Sequence, residues 1–576
     1  MKQLLVYIKD YRKECILGPL FKLLEASFEL LLPLVVAAMI DIGIPAGDKG
    51  YIVQMCLIMA ALGLIGFLCS VTAQFFAAKA AVGFSAKLRQ ALFSHIQGLS
   101  FSEMDTIGTA TLITRMTSDI NQLQTGVNLV LRLFLRSPFI VFGAMIMAFT
   151  INIKAAMIFV VVIPLLSLIV FGIMVLTMPL FKRIQQALDH VLRLTRENLT
   201  GVRVIRAFHE EEHETAKFDE SAGALQSIQL YTGKISALMN PLTYIVINGG
   251  IVALIYSGAL QVAVGDLTQG AVIALVNYMS QILVELIKLA NLIITITKSA
   301  ASGNRVKQIL DTSSTMESGT ITAGSNTEYV VEFDHVSMHY RNAGDESLYD
   351  IHFQVKKGET IGIIGSTGAG KSSLVHLIPR FYDVSRGSVR VNGLDVREYS
   401  LEKLRLKIGI VMQKPVLFKG TIRENLLWGN ERAGESELAE ALRAAQAEEF
   451  VMSRKKQLDS EVEQEGRNLS GGQKQRLSIA RAIVKKPEIL ILDDSSSALD
   501  YATDLKLRNA IRSRDGVSAT FIVSQRTSSI RHADRIIVLE DGQMAGIGTH
   551  QELLTTCKVY REIYESQYGK GDEEKE

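Results

Sequence analysis

The sequence predicts a helical membrane domain of six spans fused to an α/β domain of the P-loop class. Three observations predict it. Span-length apolar stretches recur through the first half of the chain and are absent from the second. From about residue 329 onward, short β-branched runs alternate with helical patterns. One of those runs leads directly into the phosphate-binding pattern GSTGAGKS at 365–372. With 576 residues, 48% of them hydrophobic, the chain is too long for one domain and too apolar for an ordinary soluble enzyme.

Its 61 Lys and Arg against 59 Asp and Glu leave a formal charge of +2, so no nucleic acid is expected as a partner. Cys15, Cys56, Cys69 and Cys557 lack metal-ligand spacing, and three of them lie in apolar sequence where thiols pack as small hydrophobes. The basic stretch 1–13 has no small-residue cleavage site and runs on into apolar sequence, which reads as an interfacial helix.

The expected spans lie at about 16–43, 52–78, 132–152, 155–181, 237–263 and 270–298. Six spans place both termini on one side. The connections after the second and fourth spans are long, polar and helical in pattern, carrying Lys79, Lys87, Arg89 and Arg115 in one and Lys182, Arg183, Arg193, Arg196, Arg203 and Arg206 in the other. By the positive-inside rule these connections and both termini are cytoplasmic. They continue the spans with little Gly/Pro punctuation, so rods reaching well beyond the bilayer are expected. Residues 1–311 thus form the membrane domain. The Ser/Thr/Gly/Glu-rich stretch 312–328 reads as a linker, and 329–568 form the second domain before a disordered acidic tail at 569–576.

In the second domain, Gly365, Ser366, Thr367, Gly368, Ala369, Gly370, Lys371 and Ser372 follow a predicted strand and precede a helical pattern opening at Ser373. The glycines let backbone N–H groups wrap phosphate oxygens, the helix N-terminus adds a favourable dipole, Lys371 meets the β/γ oxygens and Ser372 ligates Mg2+. About 120 residues on, the apolar run 489–492 ends in Asp493, the carboxylate expected to hold the same ion. ATP and Mg2+ are therefore the expected ligands. Between them lies Leu469, Ser470, Gly471, Gly472 and Gln473 at the start of another helical pattern, a second anion cradle.

In this order the three motifs resemble the ABC transporter superfamily, and six spans followed by such a cassette are similar to its exporter branch. The resemblance implies that Ser470, Gly471, Gly472 and Gln473 face the ATP held by a second cassette. It also implies that Tyr340 stacks on adenine, that Gln413 contacts Mg2+ and senses the membrane domain, and that Ser497, Ala498, Leu499 and Asp500 cross the dimer interface. Residues 461–466 match the segment that touches the partner, and the stretches 106–115 and 201–208 match the coupling helices.

Two positions depart from the family pattern. The Glu that positions or deprotonates the attacking water is Asp494 here, and the switch His is Gln525, which carries no proton at neutral pH. Both changes fall on the chemical step, so the chain's own site is expected to hold ATP and hydrolyse it poorly. This pairing resembles the degenerate half of bacterial heterodimeric multidrug exporters and implies a second half-transporter as partner, with an intact Glu and His. A homodimer exporting lipid or peptide with Asp494 as a working base, and an ATP-gated channel or regulatory subunit, stand as alternatives.

Charges inside spans cost roughly 2.5–3.5 kcal/mol each on insertion scales. Glu25 with Glu29 and Arg132 with Arg136 are each spaced i, i+4 at similar depths, and are expected to pair across helices. Glu285 and Lys288, at i, i+3 in the sixth span, either pair internally or face a central cavity. Pro33, Pro138, Pro164, Pro179 and Pro241 allow bends in or beside spans. The expected surroundings are the lipid bilayer of a bacterial plasma membrane, with small hydrophobic or amphipathic cargo.

Overall fold

The computed structural model describes residues 2–325, 327–341, 343–495, 499–512, 514 and 516–568. It separates into two compact units. The first holds the residues up to Gln97 with Ala110–Thr312; the second holds Gly98–Thr109 with the described residues from Ser313 on. The sequence boundary at 311 is thus corrected by one short segment, Gly98–Thr109, which belongs with the second unit.

The first unit is built from six long helical rods: Gln3–Ala46, Lys49–Gln97, Thr109–Ile151, Ile153–Phe208, Glu211–Val264 and Gln269–Asp311. At 43 to 56 residues each and about 1.5 Å per residue, every rod exceeds the roughly 30 Å of hydrocarbon it has to cross. Half of the sixth rod's apolar window is buried against 6% of the second's, so the sixth is the central element of this unit and the second keeps an apolar surface suited to lipid. Small residues bring the rods together. A Cβ on Gly270 would lie 2.3 Å from the Ala37 carbonyl oxygen, and one on Gly250 would lie 2.9 Å from Val162.

Of the intramembrane charges expected to pair across helices, Arg136 and Glu29 do so, and the rest are arranged differently. Arg136 donates from Nη2 to Glu29 (2.7 Å) and from Nη1 to Glu285 (2.6 Å), whose other oxygen accepts from Ser137 Oγ (2.7 Å). Lys288 donates to Glu285 at 2.8 Å. Glu25 instead meets Lys22 one turn earlier in its own rod, at 2.5 Å. Arg132 enters none of these pairs, and its Nε is buried without a hydrogen-bond partner. A turn at Phe134–Leu135, both still with right-handed helical dihedrals, separates the two arginines, and Arg136 is the one that reaches Glu29 and Glu285. A cavity of about 420 Å³ opens beside this network, lined by Glu29, Pro33, Asn277, Gln281, Glu285 and Lys288 among others. Glu285 and Lys288 thus pair internally and also face a cavity.

In the second unit the strands are β1 (Tyr329–Met338), β2 (Leu348–Lys356), β3 (Glu359–Gly365), β4 (Arg386–Val391), β5 (Leu394–Asp395), β6 (Ile408–Val411), β7 (Gly420–Thr421), β8 (Glu461–Val462), β9 (Ile489–Asp493), β10 (Ala519–Val523), β11 (Arg535–Glu540) and β12 (Gln543–Gly548). An antiparallel sheet runs β2-β1-β4-β5, and a six-stranded sheet runs β12-β11-β3-β10-β9-β6 with β12 as its one antiparallel edge. The strand predicted before the phosphate loop is β3 and the apolar run 489–492 is β9, with β10 between them in the sheet. The five helices that matter for the site are α1 (Phe101–Ile107), α2 (Lys371–Leu377), α3 (Gly471–Val484), α4 (Thr527–Ile530) and α5 (Lys558–Tyr568).

Among its described residues the linker stretch has no helix but is tied down. Ile321 pairs with Tyr399 in a parallel bridge, and its backbone exchanges bonds with Glu398 and Ser400. Ser497 and Ala498 and the tail 569–576 lie outside the described residues.

Candidate nucleotide site

The parallel strands β3, β9 and β10 deliver the functional groups at their C-terminal ends, where an open α/β sheet offers its crevice. β3 ends at Gly365 and the loop 366–370 turns into α2. Gly368 and Gly370 both have φ near +89°, and a Cβ on Gly370 would lie 2.7 Å from the Ser347 carbonyl oxygen, so glycine is required there on two counts. Lys371 donates to the carbonyls of Gly365 (2.9 Å) and Ser366 (2.6 Å). Burial pushes its ammonium below the ordinary lysine range, against the opposing pull of Asp494 and Asp493. Ser372 Oγ donates to Asp493 Oδ1 at 2.9 Å, and Asp493 is buried at the end of β9. This hydroxyl and carboxylate, with the Gln413 amide nearby, make a hard oxygen donor set of the kind Mg2+ takes.

Asp494 follows with φ of 44°, and its backbone N–H donates to the Val523 carbonyl at 3.0 Å. Gln413 Nε2 lies 3.4 Å from Asp494 Oδ2. Burial raises the Asp494 carboxyl above its ordinary value, with Asp493 adding to the rise and Gln413, Lys371 and Arg526 opposing it. Tyr340 Oη is 2.9 Å from Ser373 Oγ. These groups surround a cleft of about 700 Å³, lined by Tyr340, Thr367, Gly368, Gly370, Lys371, Ser372, Ser373, Gln413, Asp493, Asp494 and Gln525 among others. A neighbour of Asp493 outside this lining escaped the sequence reading. His376, four residues after Ser372 and so on the same face of α2, holds Nε2 3.5 Å from Asp493 Oδ2.

Ser470, Gly471, Gly472, Gln473 and Asp500 do not line this cleft. Ser470 caps α3, accepting from the Gln473 N–H at 3.3 Å while its own N–H donates to Gln473 Oε1 at 3.1 Å. Asp500 accepts from Thr503 through N (2.9 Å) and Oγ1 (2.8 Å). Those bonds hold its carboxyl below the ordinary range.

The stretch 106–115, matched above to a coupling helix, is divided in the structure: α1 covers Phe101–Ile107 and a new helix opens at Thr109. A capping box starts α1 at Ser100 with Glu103, and Gly108 at φ 80° ends it. That S-x-x-E pattern was the signal available in the sequence. Within the second unit, Phe101 lies 4.6 Å from Phe381 between ring centroids, and Tyr382 Oη donates to Asp105 at 2.6 Å. Buried Glu103 accepts from Thr315 Oγ1 at 2.7 Å and from Arg341 at 3.4 Å. The stretch 201–208 forms the last turns of the fourth rod, which ends where His209 turns left-handed at φ 59°.

Comparison with known proteins agrees with this arrangement. The family model for the ABC transporter transmembrane region matches residues 15–286, and that for the ABC transporter cassette matches 348–497. The chain is 35% identical to YfiB of Bacillus subtilis, an uncharacterized ABC transporter ATP-binding protein, over 99% of each. It is 33% identical to YgaD of the same organism, a putative multidrug export ATP-binding/permease protein, over 98% of each. A bacterial Atm1-family ABC exporter solved with ATP bound superposes with a TM-score of 0.81 at 23% identity, over 96% of this chain and 99% of that one, and shares its fold. The chain belongs to the ABC transporter family: an exporter-type membrane domain of six apolar helices fused to its own ATP-binding cassette.

Proposed function

We propose that this chain is the ATP-holding half of a heterodimeric exporter of small amphipathic compounds in a bacterial plasma membrane. The observation that carries the reading is the pair Asp494 and Gln525, both lining the nucleotide cleft. Asp494 is one methylene shorter than the family's Glu, and Gln525 stands where the family has a proton-carrying His. A missing general base typically costs about 10²–10⁴ in rate, while binding rests on the intact phosphate loop. Ser372, Asp493 and the Gln413 amide hold Mg2+, which neutralises charge on the phosphates when bound. Ser470, Gly471, Gly472 and Gln473, with Asp500, complete the hydrolysing site on the partner. Glu29, Arg136, Glu285 and Lys288 are mutually paired, which suits a structural role, and the cavity beside Lys288 offers cargo a polar wall. The relationship to YgaD supports the multidrug class.

ATPase activity of the purified chain in lipid nanodiscs tests this reading, measured alone and then with a half-transporter encoded beside it. Negligible turnover alone, restored by the partner and abolished by the partner's catalytic Glu→Gln change, is expected. Robust turnover alone would replace the reading with a homodimer in which Asp494 is a working base. Current under voltage clamp would replace it with a channel.

A further inference from the structure

The switch loop carrying Gln525 is three residues long, between the end of β10 at Val523 and the start of α4 at Thr527. Its internal support is thin. The Ser524 N–H donates to the Ile363 carbonyl, and the Arg526 N–H donates to Ser524 Oγ, each at 3.0 Å. Arg526 caps α4 without a side-chain bond, so the first N–H of that helix needs an acceptor from elsewhere.

Gln567, in the last turn of α5, supplies it. Its Oε1 accepts from both the Thr527 N–H (2.9 Å) and Thr527 Oγ1 (2.8 Å), and its Nε2 donates to the Gln525 carbonyl (2.7 Å). One carboxamide thereby spans the loop on both sides of Arg526, using its acceptor and its donor at once. No other side-chain type has that combination at that length. Glutamate would set an acceptor against the Gln525 carbonyl, and asparagine is one methylene short. The helix that presents Gln567 is docked, since Tyr560 is fully buried in a core with Ile364, Ile530, Ile536, Val538 and Leu553, and its hydroxyl meets His550 Nδ1 at 2.8 Å.

We propose that Gln567 is a positioning residue for the nucleotide site: the C-terminal helix holds the switch loop in its working conformation through this one amide. The consequence is selective for the triphosphate. Gln525 lines the cleft with Lys371, Ser372 and Asp494, the groups at the terminal-phosphate end, whereas Tyr340 marks the base end. A loosened loop therefore loses contacts that ATP makes and ADP does not.

The test is equilibrium binding of Mg-ATP and Mg-ADP to the full-length chain in nanodiscs, for wild type, Gln567→Ala and the near-isosteric Gln567→Glu. Loss of the clamp should weaken ATP about three- to tenfold, the span expected from one net hydrogen bond, and leave ADP within about twofold. Hydrogen exchange over 524–527 should quicken in both variants. Equal weakening of ATP and ADP in either variant would make Gln567 a merely structural residue and overturn the proposal. Unchanged affinity for both nucleotides would overturn it equally. Because both readouts concern binding by this chain, they stand apart from whether its site hydrolyses ATP.

Discussion

Tyr382 donates its phenolic proton to the carboxylate of Asp105 at 2.6 Å, and its ring meets Tyr340 edge-on with centroids 5.1 Å apart. One side chain thus touches both α1 and Tyr340 in the lining of the nucleotide cleft. Burial, with the Asp105 carboxylate adding to it, pushes the phenol above its ordinary range, so it stays a neutral donor at physiological pH. Tyr382→Phe keeps the rings and removes only this bond, worth about 1 kcal/mol. Faster amide exchange over 98–109 with unchanged protection in β3 and β9 is expected, read by mass spectrometry.

Glu103 is fixed in the same segment by Ser100, Thr315 and Arg341. Burial alone would raise its carboxyl, but the hydrogen bonds from Ser100 and Thr315 outweigh it and leave it below the ordinary 4.5. A lowered folded-state pKa means that the charged form is favoured by folding. Its contribution is present above about 4.5 and disappears as pH falls through the folded value. Glu103→Gln should cost about 1–3 kcal/mol at pH 7, with the gap to wild type closing below pH 4.5 in thermal melts.

Restoring the family residues at the two departing positions should restore chemistry. Asp494→Glu with Gln525→His is expected to raise this chain's own ATP turnover at least about tenfold, a small part of the 10²–10⁴ a general base supplies. Steady-state ATPase of the chain alone checks it. Any residual wild-type turnover should climb with pH through the raised Asp494 pKa, because the base must be unprotonated.

In the membrane unit, Arg136 is the one cation joining Glu29 to Glu285. Arg136→Met should destabilise by about 1.5–3 kcal/mol, since it removes charge-assisted bonds to both carboxylates while Lys288 still pairs with Glu285 and Glu29 is partly exposed. Adding Glu29→Gln, which removes the carboxylate left without its cation while keeping the Lys288–Glu285 pair, should recover part of the loss in a detergent melting assay.

Local pattern decided much of this molecule. The six spans, the runs that become β3, β9 and β10, and the loop 365–372 were legible because each is set by residues adjacent in sequence: apolar length, β-branching, and glycines with positive φ. The order of the motifs then carried the family resemblance. Other features depend on pairings across long separations, which no local period encodes. Arg136 finds Glu29 and Glu285, 107 and 149 residues away, because the third rod packs against the first and the sixth. Gly98–Thr109 joins the second unit because Phe101, Glu103 and Asp105 meet partners more than 200 residues on. Gln567 reaches the switch loop only because Tyr560, seven residues earlier, is buried in the same core as Ile530. The sequence by itself determined the parts and the chemistry they carry; tertiary packing decided which charges and amides meet, because a buried polar group has to find its partner wherever the fold brings one.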